Sequence, residues 1–242
     1  MREFESFARI GVTPHRSYYI PFAESHKLKN KFNIIERTSS LRFMCLDGVW
    51  DIKQLSCLEK VDLSEQLVEK IPVPSCVQMH GYDQLQYLNY RYPFPVIKGH
   101  ISNENPCWHY RRTFNLDKKQ GEKYYINFEG VDSCFYLYIN GIYKGYSQIS
   151  HSTSEFDITS LVFNGENTID IIVLKWCVST YLECQDKFRF SGIFRSVYIL
   201  KRPEKHITDY RITTTLNNED GLLTFENQSK EKITLLFGKT VI

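Results

Sequence analysis

The alternation of apolar and polar residues predicts short β-strands over most of the chain. The strongest part of the pattern begins at residue 108, where apolar runs follow one another at roughly ten-residue spacing. The predicted strands there are residues 108–114, 123–128, 134–139, 142–146, 154–158, 169–176 and 196–200. Asn140-Gly141 lies between two of them and is the strongest signal for a two-residue hairpin turn. Short strands separated by turns, without long helices, predict an all-β sandwich or jelly roll.

The first part of the chain has a weaker pattern. Residues 1–40 show no clear period, which predicts an extended arm that packs along another surface. Two strand-like runs follow, 41–46 and 49–52. Asp47-Gly48 between them predicts a hairpin that joins these runs.

The next stretch combines a polar segment with two prolines. Residues 56–70 are polar and predict a short helix. Pro72 and Pro74 exclude a helix and a central strand, because proline lacks the N–H group that both require. The segment around them is therefore predicted to be extended and to lie at a sheet edge.

A change of pattern after residue 200 predicts a second domain. Residues 201–205 are basic, contain a proline and predict a linker. Strand-like segments follow at 206–216, 222–225 and 232–237. This remainder is too short for an independent β-sandwich, which takes about 100 residues. The predicted organisation is an extended arm over 1–40, a sandwich domain over 41–202, and the start of a truncated second sandwich over 203–242.

Composition excludes several classes of function. Hydrophobic residues make up 42% of the chain and charged residues 24%, as is typical of soluble globular proteins. A formal charge of +2 gives no electrostatic basis for binding nucleic acid or an anionic membrane. Aromatic residues reach 14%, which suits a β-rich core and also suits stacking against sugar rings. No apolar run is long enough to cross a membrane, and the amino terminus is too charged for a signal peptide.

The candidates for metal or nucleophilic chemistry are few. Seven cysteines, without a Cys-x-x-Cys pair, predict reduced thiols in a cytoplasmic protein. The seven histidines lack metal-ligand spacing and are predicted to be packing or surface residues. No phosphate loop, dinucleotide fingerprint, His-Glu-x-x-His or Gly-x-Ser-x-Gly motif occurs.

Residues 181–195 combine carboxylate, guanidinium and aromatic groups between two predicted strands. Their sequence is Tyr-Leu-Glu-Cys-Gln-Asp-Lys-Phe-Arg-Phe-Ser-Gly-Ile-Phe-Arg. Loops held between rigid strands commonly carry binding groups. The pattern Tyr-Leu-Glu-x-Gln-Asp, followed by Arg-x-Ser-Gly-Ile-Phe-Arg, resembles the signature of the amino-terminal sugar-binding domain of β-galactosidases in glycoside hydrolase family 2.

Further motifs that resemble elements of these enzymes follow in order along residues 46–200. They are Leu-Asp-Gly-Val-Trp at 46–50, Val-Pro-Ser-x-x-Gln-Met-His-Gly-Tyr-Asp at 73–83, Glu-Asn-Pro at 104–106, Phe-Glu-Gly-Val at 128–131, Asn-Gly at 140–141, Gly-Tyr-Ser-Gln at 145–148 and Ser-Glu-Phe-Asp at 154–157. The resemblance implies a jelly-roll or galactose-binding-like β-sandwich followed by a partial immunoglobulin-like β-sandwich. It also implies a later (β/α)-barrel that holds both catalytic glutamates. That barrel is absent here, so we assign no catalytic residue and expect the chain alone to be inactive.

The resemblance assigns two binding residues. Asn105 and Asp186 match family residues that reach from this domain into the galactose pocket of the barrel, and Asp186 also matches a ligand of the sodium ion at the sugar O6. The chemistry is reasonable, because a carboxylate accepts hydrogen bonds from hydroxyls and supplies hard oxygen to a cation. Any Mg²⁺ is expected only in the barrel. Arg189 and Arg195 are expected to pin the loop through carboxylate or carbonyl groups.

The implied protein is a cytoplasmic β-galactosidase that hydrolyses terminal non-reducing β-D-galactose residues, of which this part forms one wall of the galactose pocket. Its expected partners are the β-galactoside, the immunoglobulin-like and barrel domains, and further copies in a homo-oligomer. Two alternatives stay open: part of a β-glucuronidase or β-mannosidase of the same family, and a free-standing carbohydrate-binding module. Cys76, Val77, Cys184 and Phe188 differ from the usual family residues, which affects the wall of the pocket in detail.

Overall fold

The computed structural model describes residues 8–23, 34–87, 94–97, 100–183, 186–217, 220–229, 236–237 and 240–241. In chain order the strands are β1 (Arg9–Ile10), β2 (Phe43–Cys45), β3 (Gly48–Leu55), β4 (Glu69–Val73), β5 (Gln86–Tyr87), β6 (Cys107–Leu116), β7 (Glu122–Phe128), β8 (Val131–Asp132), β9 (Cys134–Ile139), β10 (Ile142–Ser147), β11 (Ser154–Asp157), β12 (Gly165–Leu174), β13 (Phe188–Arg189), β14 (Gly192–Ile193), β15 (Val197–Pro203), β16 (Tyr210–Asn217), β17 (Asp220–Asn227), β18 (Leu236–Phe237) and β19 (Thr240–Val241). The helical segments are 3₁₀ turns at Ile34–Ser39, Leu58–Lys60 and Val77–His80, and one α-helical turn, α1, at Thr180–Glu183. The all-β prediction is confirmed.

Two antiparallel sheets form the main body. One has seven strands in the order β1-β10-β9-β12-β6-β3-β4, and the other has four in the order β11-β7-β15-β2. Apolar side chains from both sheets share one buried cluster. Phe135 of the larger sheet lies against Phe128 and Phe156 of the smaller one, with ring centroids 4.9 and 5.9 Å away. Burial of such rings between two sheets is the main source of stability in a β-sandwich.

The two predicted hairpins have opposite outcomes. Asn140 and Gly141 both have left-handed backbone angles, with φ of 53° and 77°, and they join the paired strands β9 and β10. Both angles are what a type I′ turn requires, so this prediction is confirmed. The hairpin at Asp47-Gly48 is wrong, because β2 pairs with β15 in the smaller sheet while β3 lies in the larger sheet. The dipeptide instead carries the chain from one sheet to the other.

The segment predicted to be extended at a sheet edge, residues 71–83, is so in its first part, but Val77–His80 form a 3₁₀ turn. Among the described strands, β4 contains Pro72, pairs with β3 and forms one edge of the larger sheet. The short helix predicted for residues 56–70 is reduced to the 3₁₀ turn Leu58–Lys60. Hydrogen bonds from Arg111 to the carbonyl oxygens of Leu63 and Glu65 hold the next part of this stretch in an irregular course instead.

Over its described residues, the amino-terminal arm packs against the sandwich. Its strand β1 pairs with β10 at the edge of the larger sheet, and Thr13 N donates to the carbonyl oxygen of Glu155 at 2.8 Å. The Arg16 guanidinium contacts the Glu155 carboxylate, with Nη2 2.5 Å from Oε2. The arm therefore adds both a strand and a charged contact to the body of the domain. Residues 1–7 and 24–33 of the predicted arm lie outside the described residues.

Replacement of Gly145 by alanine is expected to displace this arm. A Cβ atom at residue 145 would lie 2.1 Å from the carbonyl oxygen of Ile10, where only glycine fits. Such overpacking costs about 1–3 kcal/mol. Trypsin should therefore cleave at Arg9 and Arg16 faster in Gly145→Ala than in the wild type. Gly221→Ala is the matched control, because a Cβ there meets no atom within 4 Å; equal cleavage rates in both variants would contradict the expectation.

The predicted linker at 201–205 is wrong in its first half. Residues 201–203 continue β15 and pair with β7 as far as Pro203 opposite Glu122. Arg202 is only 2% exposed and contacts the Glu155 carboxylate. A buried ion pair and a sheet ladder thus place these residues in the sandwich.

After the sandwich the strands β16 and β17 form an antiparallel hairpin, and β18 pairs with β19. The hairpin is tied to the arm, since Ser17 N donates to Asp209 Oδ1 at 2.7 Å and Tyr210 Oη donates to the Tyr18 carbonyl at 2.9 Å. The strands predicted at 206–216 and 222–225 are confirmed in outline. Of the strand predicted at 232–237, residues 232–235 lie outside the described residues. The immunoglobulin-like assignment of this region stays a prediction.

Two further observations concern the described residues as a whole. None of their helices has the length and apolar character needed to cross a bilayer. The six described cysteines carry free thiols, and Cys184 lies outside the described residues.

Candidate functional site

The candidate site residues lie on loops at one end of the larger sheet. The long strand β12 ends there at Leu174, which is opposite Cys107 at the start of β6 and Cys134 at the start of β9. The loop that follows β12, residues 175–191, is called the site loop below. It carries α1 and β13 and contains residues 181–191 of the segment that resembles the family signature.

Asp186 lies on the surface of the site loop in a left-handed backbone conformation. Its φ is 43°, a region that aspartate tolerates better than most residues. The hydroxyl of Tyr87 donates to the Asp186 Oδ1 oxygen. The adjacent β13 pairs with β5 so that Phe188 lies opposite Tyr87. The exposed carboxylate is thus presented by a short strand pair and oriented by one phenol.

Asn105 is buried and bound to the site loop through its side chain. Its Nδ2 donates to the carbonyl oxygen of Trp176 at 2.9 Å, and Trp176 N donates to its Oδ1 at 2.9 Å. An asparagine amide has two donor hydrogens and two acceptor lone pairs, so one of each remains for another partner. The exposed fraction of 9% leaves little room for such a partner on this chain.

Asn105 and Asp186 both lie on the loops at this end of the larger sheet, but their side chains do not contact each other. Asn105 holds Trp176 at the start of the site loop, whereas Asp186 lies near its end. Among the described residues no hydrogen bond connects the two side chains. The role of Asn105 that is visible here is to fix the main chain of the loop that carries Asp186.

The two ends of the site loop are joined by side chains of the 73–83 motif. Lys175 Nζ lies 2.7 Å from Asp83 Oδ2, and Gln78 Nε2 donates to the same oxygen at 3.0 Å. Gln78 Oε1 in turn accepts a hydrogen bond from Ser191 N at 2.9 Å. The motif at 73–83, which sequence analysis identified only by resemblance, therefore links the first and last residues of the site loop.

An ion pair is buried beneath the site loop. Arg189 Nη2 lies 3.1 Å from Asp132 Oδ1, and the two residues are 1% and 2% exposed. Lys187 Nζ lies 3.6 Å from the other oxygen of the same carboxylate. The Arg195 guanidinium donates to the carbonyl oxygen of His151 at 3.3 Å. Both arginines contact carboxylate or carbonyl groups, as expected.

Sequence reasoning missed Asp132, Tyr87 and Trp176, although each has a direct part in the site. Asp132 directly follows the matched motif at 128–131, which was the available signal for it. Trp176 ends a predicted strand and Tyr87 lies in a segment without a distinctive local pattern, so neither was marked as a site residue. Their roles come from contacts between residues far apart in sequence, which a single sequence does not reveal.

The outer surface of the site is apolar and aromatic. Tyr87 and Phe188 are about half exposed, with ring centroids 5.6 Å apart, and Leu182 is mostly exposed. Phe94 lies 5.4 Å from the Trp176 ring and 5.7 Å from the Tyr181 ring in edge-on geometry. An exposed carboxylate beside aromatic rings suits a sugar, which offers hydroxyl groups and apolar C–H faces.

The pKa values of two groups, His151 beside the site loop and Cys177 within it, are shifted away from their ordinary values. Burial lowers the pKa of His151, and the nearby Lys187 ammonium lowers it further. A hydrogen bond from Cys134 lowers the pKa of Cys177, against the effect of burial. Glu183, the first acid in the family signature, accepts a hydrogen bond from the Ser150 hydroxyl at 2.7 Å and so fixes the end of α1.

Asp186 is chemically suited to a sodium ion but supplies only part of a ligand set. Its exposed carboxylate is a hard oxygen donor, and Na⁺, like other hard cations, favours such ligands. Within the described ranges no group of three or more His, Cys, Asp or Glu side chains is arranged to hold a metal ion.

Comparison with known proteins gives a family match over most of the sandwich. Residues 43–203 match the family model described as glycosyl hydrolases family 2, sugar binding domain. The chain is 42% identical over 213 residues to a β-galactosidase of Staphylococcus xylosus, covering 87% of this chain and 21% of the relative. It is 40% identical over 215 residues to a β-galactosidase of Actinobacillus pleuropneumoniae, with the same two shares. The chain thus spans about a fifth of the length of these relatives.

Solved structures show the same fold at lower sequence identity. A β-glucuronidase of Ruminococcus gnavus aligns with a TM-score of 0.61 at 19% identity, covering 79% of this chain and 33% of that one. A β-glucuronidase from an uncultured Clostridium aligns with a TM-score of 0.58, also at 19% identity, covering 78% of this chain and 34% of that one. At this identity the likeness concerns the fold alone.

Proposed function

Since the chain belongs to glycosyl hydrolase family 2 through its sugar-binding domain, we propose that it is the amino-terminal part of a β-galactosidase. The proposed reaction is hydrolysis of terminal non-reducing β-D-galactose residues in β-galactosides such as lactose. The observation that carries it is identity near 40% to curated β-galactosidases over most of the chain. The catalytic carboxylates are proposed to lie in a barrel outside this chain, so that this part supplies one wall of the sugar pocket.

Three contacts at the site support the proposed binding role. The Asp186 carboxylate accepts hydrogen bonds, as the contact from Tyr87 already shows, and its second oxygen suits a sugar hydroxyl. Tyr87 and Phe188 provide apolar surface for the face of a pyranose ring. Asn105 keeps the loop in place through Trp176 and retains one donor and one acceptor for the sugar.

We further propose that Asp186 is one ligand of a sodium ion shared with the barrel, where the ion supplies a positive charge to the galactosyl O6 hydroxyl. Any magnesium ion is proposed to bind only in the barrel. The complete enzyme is proposed to be a cytoplasmic homo-oligomer. These four proposals rest on the family relation.

The proposed function predicts different activities for the isolated chain and for the complete protein. The 242-residue chain should not hydrolyse p-nitrophenyl β-galactoside, because it lacks the proposed catalytic residues. The complete protein should hydrolyse it with a kcat/KM at least about 100-fold above that for the β-glucuronide, since a pocket built to bind a hydroxyl rejects a substrate without it. Steady-state assays of both proteins with both substrates measure this.

The assays also decide between the alternatives. A preference of the complete protein for the glucuronide would replace the proposed substrate by that of the solved relatives. Turnover by the pure isolated chain would contradict the assignment of the catalytic groups to a missing barrel. Binding of galactose by a chain whose gene encodes no barrel would indicate a free-standing carbohydrate-binding module.

A further inference from the structure

Arg189 is a fully buried cation three residues after Asp186. Its exposed fraction is 1%, and its Nη2 contacts Asp132 Oδ1 at 3.1 Å and Thr180 Oγ1 at 3.3 Å, together with the hydroxyl of Ser133. Thr180 begins α1 inside the site loop, so the guanidinium spans the loop from β13 to α1. Asp186 lies on the stretch of chain between these two anchor points.

Trp176 connects Arg189 to the other predicted site residue. The Arg189 guanidinium carbon lies 5.5 Å from the Trp176 ring centroid, within the range of a cation–π contact. The main chain of the same tryptophan is held on both its N–H and its carbonyl by Asn105. Trp176 is therefore held by two residues. Asn105 binds its backbone, and Arg189 contacts its ring.

The burial of Arg189 is costly to the fold. Its Nε and Nη1 are buried without a hydrogen-bond partner in the part of the chain that the structure describes. Buried donors without partners cost stability, and a buried ion pair is often no better than apolar packing. A gain in stability therefore does not explain why Arg189 is buried here. Its contacts with the site loop offer a better explanation.

We propose that Arg189 is the positioning residue for Asp186: by linking Asp132, Thr180 and the Asn105-held Trp176, it fixes the loop backbone that presents the carboxylate. The inference rests on the proposed function in one respect, namely that Asp186 binds the sugar. A guanidinium is suited to this task, because it is planar, donates in several directions and stacks on an aromatic ring. A lysine keeps the charge opposite Asp132 but not the planar group that lies over the Trp176 ring.

The first test measures the loop without any substrate. Arg189→Met leaves the Asp132 carboxylate without its buried partner and risks unfolding, so we pair it with Asp132→Asn in a double variant. Hydrogen exchange of the 242-residue chain should be at least about tenfold faster across residues 180–189 in this double variant, with the strands of both sheets unchanged. Arg112→Met is the matched control, because Arg112 also lies over a tryptophan ring and donates to a carbonyl oxygen, but it is on β6 and outside the site loop.

The second test measures sugar binding in the complete enzyme. In the double variant the KM for p-nitrophenyl β-galactoside and the sodium concentration for half-maximal activity should both rise about 10- to 100-fold, as is typical of small misplacements at a binding site. Arg189→Lys should restore part of both losses, and Arg112→Met should change neither. Joint movement of KM and sodium response, with partial rescue by lysine, is a signature that a general loss of stability does not produce.

The outcomes separate this inference from the proposed function. Unchanged exchange across residues 180–189 in the double variant overturns the role of Arg189, whatever the enzyme hydrolyses. Faster exchange with unchanged KM and sodium response overturns it as well, because the loop would then be free to move without affecting binding. A complete protein that hydrolyses no β-galactoside refutes the proposed function, while the exchange result still decides whether Arg189 holds the loop.

Discussion

Replacement of Asp186 by alanine in the complete enzyme is expected to abolish its response to sodium and to weaken galactoside binding about 10- to 100-fold. The estimate follows from the roughly 1.5–3 kcal/mol that a hydrogen bond to a charged group contributes. Loss of the carboxylate removes the anionic ligand from a hard cation and an acceptor from a sugar hydroxyl. Both effects should appear together, because one side chain is proposed to serve both.

The measurement is a sodium titration of KM for the wild type and for Asp186→Ala. Asp117→Ala is the control, since that carboxylate is exposed in the turn after β6 and pairs only loosely with Lys119, at 3.7 Å. Tyr87→Phe tests the orientation of Asp186 by removing the one described hydrogen bond to its carboxylate, and a smaller loss of the same kind is expected. A wild-type sodium response in Asp186→Ala would make Asp186 a loop residue without a part in binding.

Replacement of Glu155 by glutamine is expected to lower the free energy of unfolding by about 3–5 kcal/mol, more than any other substitution proposed here. Glu155 is buried between two arginines, with Oε2 2.5 Å from Arg16 Nη2 and 2.8 Å from Arg202 Nη2. Removal of one partner from a buried ion pair costs this much, because it leaves charge uncompensated in the interior. Here two guanidinium groups would lose their shared carboxylate, and the arm would lose its charged contact with the sandwich.

Urea unfolding of the 242-residue chain measures the effect as a lower midpoint with an unchanged slope. Glu166→Gln provides the control, because Glu166 is an exposed glutamate on β12 and should shift the free energy of unfolding by less than about 0.5 kcal/mol. A double variant, Glu155→Gln with Arg16→Gln, should recover part of the loss by removing one of the two stranded charges. Equal stability of Glu155→Gln and Glu166→Gln would show that water solvates the Arg16 and Arg202 guanidinium groups when the carboxylate is removed.

The sequence by itself determined the strands and the turn that depend on local chemistry. Alternating apolar residues specify a strand wherever one of its faces is buried, and this held from residue 108 to residue 200. The Asn140-Gly141 turn was predictable because both residue types tolerate left-handed angles at little cost. The motif at 181–195 likewise identified the loop that carries Asp186, since its resemblance depends on residues adjacent in sequence.

Only the tertiary structure decided which strands pair and which charges are buried. Asp47-Gly48 has the local chemistry of a hairpin turn, but its flanking strands find better partners far along the chain. Arg202 lies in a segment whose sequence resembles a linker. It is part of a strand because its segment pairs with β7 and its side chain forms an ion pair with Glu155. The Asn105–Trp176 and Arg189–Asp132 contacts join residues more than fifty positions apart. Local preference acts over a few residues, whereas pairing and charge burial depend on groups that only the folded chain brings together.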